Sequence, residues 1–248
     1  VSGAFAEGLI QSRDDGGMVT SLLEELINVI APTHCAGCRK WDTPLCDECA
    51  SLAEQSPIAS IIDDAKSPMR SVALGTYGGS LRNLILAAKH DTTRDLRDWL
   101  WRAGHSLGQG WLDHRAIVDV PTGNKPLHLI PAPSRWTRAW RGMLITPTIA
   151  AGAAQAIHDA GIPVVVVPAL HQKWGSSQAG LSGDQRRQSR NRTITALIEV
   201  EEANCVLVDD VVTTGATMLA CRDALETAGG RCFVGLSLAI VQNERSLK

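Results

Sequence analysis

From Val72 onward the apolar residues come in short unbroken runs separated by longer amphipathic stretches. Val72–Tyr77, Leu127–Ala132, Val164–Val167, Cys205–Val208 and Cys232–Ala239 are such runs, four to eight residues long. They are too short for helices and rich in β-branched residues, which predicts strands buried within a sheet. Between them the period lengthens to that of a helix. Leu81–Lys89 places Leu81, Leu84, Ile85 and Ala88 on one face. Arg94–Leu112 carries Trp99, Trp101 and Trp111 at helical spacing, which marks them as packing residues. Pro147–Ala160 is an Ala-rich helix, and Ala216–Ala228 is a helix that follows a Thr/Gly turn. Strands alternating with helices predict an α/β fold with a parallel, doubly wound sheet.

The chain ahead of Val72 reads differently. Residues 1–20 are rich in Gly, Ser and Asp and predict a frayed tail. Ser21 caps a short helix over Leu22–Ile30, with Glu24 and Glu25 in its first turn, and Pro32 ends it. Residues 50–70, with Pro57 and Pro68, read as a linker. The expected organisation is a tail and short helix over 1–30, a cysteine knuckle over 31–56 and the α/β domain over 57–248. A length of 248 residues suits one domain plus a small module, and 44% hydrophobic with 20% charged residues excludes global disorder. All seven tryptophans lie at or before Trp174, so the last third is built from small and β-branched residues. No run approaches the roughly 20 apolar residues that span a bilayer. Val1–Ile10 lacks a basic start followed by a long apolar run, so a cytoplasmic protein without a membrane span is expected.

The formal net charge of −2 argues against a wholly basic nucleic-acid binder, but the charge is segregated. Residues 135–192 carry eight cations, seven of them Arg, against two acids. Arg is the planar, bidentate donor suited to phosphate, so this segment suggests an anion site; a solvated basic face is the alternative.

Four of the seven cysteines cluster as Cys35-Ala-Gly-Cys38 and, seven residues on, Cys46-Asp-Glu-Cys49. Two CxxC turns that converge give four soft ligands in the closed geometry of a structural zinc site. An iron–sulfur cluster fits the spacing too, and two disulfides are the remaining alternative, disfavoured in a cytoplasmic protein. Gly37 stands where such a turn often needs a positive φ. His34 reads as a neighbour of the metal, and Cys205, Cys221 and Cys232 as buried, inert thiols.

Ligands of a parallel sheet bind at the carboxyl ends of its strands. There, Val206-Leu207-Val208 delivers two adjacent carboxylates, Asp209 and Asp210, followed by Val211, Val212, Thr213, Thr214, Gly215, Ala216 and Thr217. The turn's backbone amides, the Thr hydroxyls and the positive end of the helix converge on one anion, suitably a monophosphate. Neighbouring acids suit the vicinal hydroxyls of a sugar, with Mg²⁺ close by. The turn lacks the Lys and spacing of a nucleoside-triphosphate P-loop.

This stretch resembles the phosphoribosyl-pyrophosphate (PRPP) motif of the type I phosphoribosyltransferases. The resemblance implies that Asp209 and Asp210 contact the ribose hydroxyls. It also implies that the loop through Val211, Thr213, Thr214, Gly215, Ala216 and Thr217 holds the 5′-phosphate. The turn Pro133-Ser134-Arg135, with Arg138 and Arg141 after it, follows a strand where that fold carries its pyrophosphate loop. Arg135 is accordingly expected, with the two acids, among the catalytic residues. Lys173–Arg192, with Gln178, Leu181-Ser182, Arg186, Arg187 and Asn191, is similar to the family's flexible loop, which closes over substrate and excludes water.

The order of the parts narrows the resemblance. A four-Cys knuckle precedes Tyr77-Gly-Gly-Ser-Leu-Arg82, a helix ending Lys89-His90, Ile130-Pro-Ala-Pro133 and the Arg135, Arg138, Arg141-Gly142 run. This order is similar to that of the competence-protein ComF family. That family joins a zinc knuckle to a type I phosphoribosyltransferase-like domain and is linked to handling single-stranded DNA in natural transformation. It implies structural zinc at Cys35, Cys38, Cys46 and Cys49, Mg²⁺ with PRPP or a related sugar phosphate, single-stranded DNA as a partner, and a DNA-uptake helicase as another. An active phosphoribosyltransferase working on a nitrogen acceptor and a non-catalytic PRPP or nucleotide sensor are the alternatives. Trp136, Trp140 and Trp174 interleave with Arg135, Arg138, Arg141 and Lys173, a composition that suits stacking on single strands.

Overall fold

A computed structural model describes residues 33–64, 67–114, 125–133, 145–173 and 193–241. The tail and the helix expected over Leu22–Ile30 lie outside the described residues, as do Ser134, Arg135, Arg138 and Arg141 and all of the expected loop beyond Lys173.

The uninterrupted apolar run of the sequence becomes the centre of the sheet. Strand β7, Asn204–Val212, is buried over its first five residues, and its side chains alternate between two layers. Val206 and Val208 enter one hydrophobic cluster, Cys205 and Leu207 the other. Around it the six-stranded sheet runs β1-β2-β8-β7-β3-β4. Its other strands are β1 (Ile58–Ile62), β2 (Met69–Thr76), β3 (Leu127–Pro131), β4 (Val164–Val166) and β8 (Arg231–Ile240). Within this sheet only the β1–β2 pair is antiparallel.

The helices divide between the two faces. Helix α1 (Asp47–Ala50), continued by a 3-10 turn over Ser51–Glu54, belongs to the cysteine knuckle. Helices α2 (Gly79–His90), α3 (Arg97–Asp113) and α4 (Ile145–Asp159) contribute to the first cluster, together with Cys35, Cys46 and Cys49. Helix α5 (Ala216–Thr227) covers the other face through Met218, Cys221 and Leu225. A two-stranded antiparallel ribbon, β5 (Leu170–Lys173) with β6 (Thr193–Ala196), also packs on that side.

This division follows from handedness. The crossover β3–α4–β4 moves outward in the strand order, whereas β7–α5–β8 moves the opposite way. Right-handed crossovers in opposite directions put their helices on opposite faces. The reversal falls between β3 and β7, the switch point where open α/β sheets form a ligand crevice.

Helix α2 buries Leu81, Leu84, Ile85 and Ala88, the face its period predicted. Trp99 and Trp111 are fully buried, as packing residues should be. Trp101 instead lies half-exposed and stacks on His105 at 5.5 Å.

Several expectations are corrected. Residues 50–70 are not a linker: they hold the end of α1, the 3-10 turn and the edge strand β1. Only Ile62 of that strand is buried, so its apolar period is invisible in the sequence. The run at Val164–Val167 is an edge strand of three residues, not a buried one, and Val165 is 42% exposed. Cys205 and Cys221 are buried, but Cys232 is only partly so.

Candidate functional site

The register explains how β7 presents its acids. Pro131, the last residue of β3, pairs with Val208, while β8 continues alongside β7 to Val212, opposite Ile240. Asp209–Val212 therefore project past β3 and, among the described residues, have a strand on one side only, at the switch point. Ala132 keeps the edge in place by donating its N–H to Val208 O at 2.7 Å. Pro133 is the last described residue of that turn, which leads to Ser134 and the arginines outside the described residues.

Alternation sends the two acids to opposite faces. Asp209 continues the row of Cys205 and Leu207, toward α5, and its Oδ1 accepts the Asp210 backbone N–H at 2.8 Å. Asp210 continues the row of Val206 and Val208, and its Oδ1 accepts a hydrogen bond from Lys89 Nζ of α2 at 2.7 Å.

After Val212 the chain turns through Thr213 and Thr214, both exposed, into buried Gly215. Gly215 adopts φ +77°, the left-handed conformation that glycine takes without a Cβ penalty. A Cβ there would lie 2.0 Å from Ile62 Cγ2, so β1 packs directly beneath the turn. The Ala216 N–H reaches Thr214 Oγ1 at 3.4 Å, and Leu219 N–H bonds Gly215 O at 3.0 Å as the helix begins. Ala216 and Thr217 are exposed. No acidic residue stands in the first turn of α5, which suits an anion at its positive end.

The same edge receives the end of β2. Thr76 pairs with Ile240, Tyr77 N–H donates to Ile240 O at 2.9 Å, and the Arg82 guanidinium lies 5.9 Å from the centre of the Tyr77 ring. The expected acids, the Thr/Gly turn and Pro133 are thus gathered on one edge of the sheet. Lys89 is the residue there that sequence reasoning missed: it was legible as a basic helix end, but its partner lies 121 positions away.

The cysteine cluster forms a second centre. The four sulfurs lie within 4.8 Å of one another. Cys35 and Cys46 Sγ are 3.6 Å apart, Cys38 and Cys46 Sγ 3.5 Å. Four sulfurs at a Zn–S distance of about 2.3 Å define a tetrahedron with edges of about 3.8 Å, so the cluster can hold a zinc ion. All four are free thiols, which removes the disulfide alternative. Burial pushes the Cys35 thiol up, but the backbone amides of Cys46, Cys38 and Gly37 outweigh it and bring it down to about 6. Burial and the neighbouring sulfurs push Cys49 up to about 12. A cation is what allows such crowded sulfurs to ionise together.

Gly37 does not have the positive φ expected of it; Arg39, at φ +68°, takes the left-handed turn. Gly37 serves close approach instead, since a Cβ would meet Cys49 Sγ at 2.5 Å. His34 is not in the ligand set and packs on Trp41 at 3.9 Å.

Residues 148–245 match the family model described as "Phosphoribosyl transferase domain", a stretch that holds the two acids, the Thr/Gly turn and α5. The chain therefore carries a phosphoribosyltransferase-type domain on an α/β, mostly parallel sheet, behind an N-terminal four-cysteine cluster. Similar solved structures include the HGPRT-ase of Leishmania tarentolae in complex with GMP, at 15% identity, 58% of this chain, 67% of that one and a TM-score of 0.34. The hypoxanthine-guanine phosphoribosyl transferase of L. donovani gives 16% identity, 57% and 67% coverage and a TM-score of 0.34. The allosteric regulatory enzyme of purine biosynthesis gives 20%, 54% and 25%, and 0.32. No curated protein sequence matches the chain. Among the described residues no helix is long and apolar enough to cross a membrane.

Proposed function

We propose that the chain binds PRPP, or a related sugar phosphate, with Mg²⁺ at the projecting tip of β7. The observation that carries this reading is the run of two carboxylates into a left-handed Thr/Gly turn and the start of α5, whose first turn holds no acid, all at the switch point of the sheet. Asp209 and Asp210 take the ribose hydroxyls, and the Thr213–Thr217 turn takes the 5′-phosphate through its amides and hydroxyls. The carboxylates are hard oxygen donors of the kind that suits Mg²⁺, which supplies charge neutralisation at a diphosphate when bound. Arg135, Arg138 and Arg141 are proposed as diphosphate donors on the strength of their place after β3. Zinc is the metal proposed for the four cysteines, in a structural role.

The finer reading is a ComF-type role in handling single-stranded DNA. It is supported by a knuckle ahead of a phosphoribosyltransferase-type domain and by Trp41, 61% exposed on that knuckle beside exposed Arg39 and Lys40. An exposed aromatic next to cations suits stacking on unpaired bases.

Titration of PRPP·Mg²⁺ and of a fluorescent single-stranded oligonucleotide tests both levels, using the wild type and Asp209→Ala/Asp210→Ala. PRPP affinity should collapse in the variant, and an unchanged affinity removes the sugar site. Oligonucleotide binding should weaken steeply with salt, and its absence removes the DNA role while leaving the sugar site standing.

A further inference from the structure

Lys89 lies in the last turn of α2, and Asp210 on the projecting part of β7. Their 2.7 Å contact is a charge-assisted hydrogen bond between side chains that are each only 14% exposed. It joins the face carrying α2, α3 and α4 to the one stretch of β7 that has lost its neighbour strand β3. Backbone hydrogen bonds fix the strand but not the χ angles of a carboxylate at its tip; a cation held on a helix restricts those.

 Asp209 Oδ1 accepts the Asp210 backbone N–H at 2.8 Å.

Charge gives the pair a second consequence. A sugar carrying a phosphate and a diphosphate is a polyanion, and two neighbouring carboxylates oppose its approach. An ammonium beside one of them offsets that repulsion from within the protein. We propose that Lys89 is a positioning residue of the sugar-phosphate site, orienting the Asp210 carboxylate and offsetting its charge toward an incoming phosphorylated sugar. This inference rests on the sugar-phosphate reading of the β7 tip.

The experiment is a double-mutant cycle on the full chain, with PRPP·Mg²⁺ and ribose 5-phosphate as probes and thermal unfolding measured in parallel. Lys89→Met should bind PRPP about tenfold more weakly, the size of one lost charge-assisted hydrogen bond. Ribose 5-phosphate, with fewer charges, should lose less. Lys89→Arg should restore most of the affinity, whereas Lys89→Gln should not. Lys89→Met/Asp210→Asn should bind no more weakly than the worse single variant, because coupled partners are not additive. If Lys89→Met and Lys89→Gln melt earlier but bind PRPP as the wild type does, the pair is only a staple and the proposal is overturned. If Lys89→Met fails to fold, equal affinities for the Arg and Gln variants overturn it in the same way. A wild-type chain that binds neither probe defeats the sugar-phosphate reading itself, and this proposal with it.

Discussion

Gly215 shows how much one residue can carry. Its φ of +77° costs an L-residue about 1–2 kcal/mol, and a Cβ would meet Ile62 of the strand beneath. Gly215→Ala should therefore lower stability by about 2 kcal/mol in urea unfolding, with a larger loss of PRPP affinity because the turn itself must shift. Equal stability and affinity in the variant would mean that the turn is not the phosphate cradle. Here the sequence was sufficient, because Thr-Thr-Gly after a strand is a local pattern. Gly37 was misread for the complementary reason: its small size is demanded by Cys49 Sγ from the second CxxC, a contact made in space rather than along the chain. Lys89 is the same lesson at longer range, since no local feature distinguishes an exposed helix-end Lys from one that reaches a partly buried strand tip.

Among the helices, α3 and α4 meet backbone to backbone. A Cβ on Gly152 would lie 2.0 Å from Trp101 O, and one on Gly104 would lie 2.1 Å from Ile149 O. These neighbours are backbone atoms, so no rotamer change relieves the clash and the helices must separate. Gly152→Ala should destabilise by about 3 kcal/mol or more, against its favourable effect on helix propensity, and shift the urea midpoint down with an unchanged slope. Helices α2 to α5 and the central strands were legible because each buries a continuous apolar face. Strand β1 and the β5–β6 ribbon were not, since β1 buries only Ile62 and the ribbon's partners lie on either side of a long insertion. Their pairing is made by backbone hydrogen bonds, which leave no side-chain period to read.

Across the whole molecule, the knuckle is welded to the α/β layers. Cys35, Cys46 and Cys49 belong to the same buried cluster as Leu84, Trp99 and Leu107. Asn83 Nδ2 donates to Gly37 O at 2.7 Å, Trp99 Nε1 to Cys49 O at 3.1 Å, and Arg94 to the carbonyls of His34 and Pro44. Metal loss should thus be felt beyond the knuckle. Elemental analysis should find about one zinc per chain, as a four-Cys site binds one ion, and chelation should lower the melting temperature of the entire described fold in one transition. A chelated protein that melts as before would mean that the cysteines do not depend on metal for their packing. Because α2 carries both Asn83 and Lys89, the cysteine cluster and the proposed sugar-phosphate edge share one helix.

The sequence by itself determined the alternation of strand and helix, the cluster of four cysteine sulfurs and the acidic strand tip with its turn. Each is a local pattern whose physics is contained in a few consecutive residues. The tertiary structure alone decided which face each acid takes, how far β7 outruns β3, and that Lys89 meets Asp210. Those follow from register and crossover handedness, which depend on residues far apart in the chain and become definite only when the layers pack.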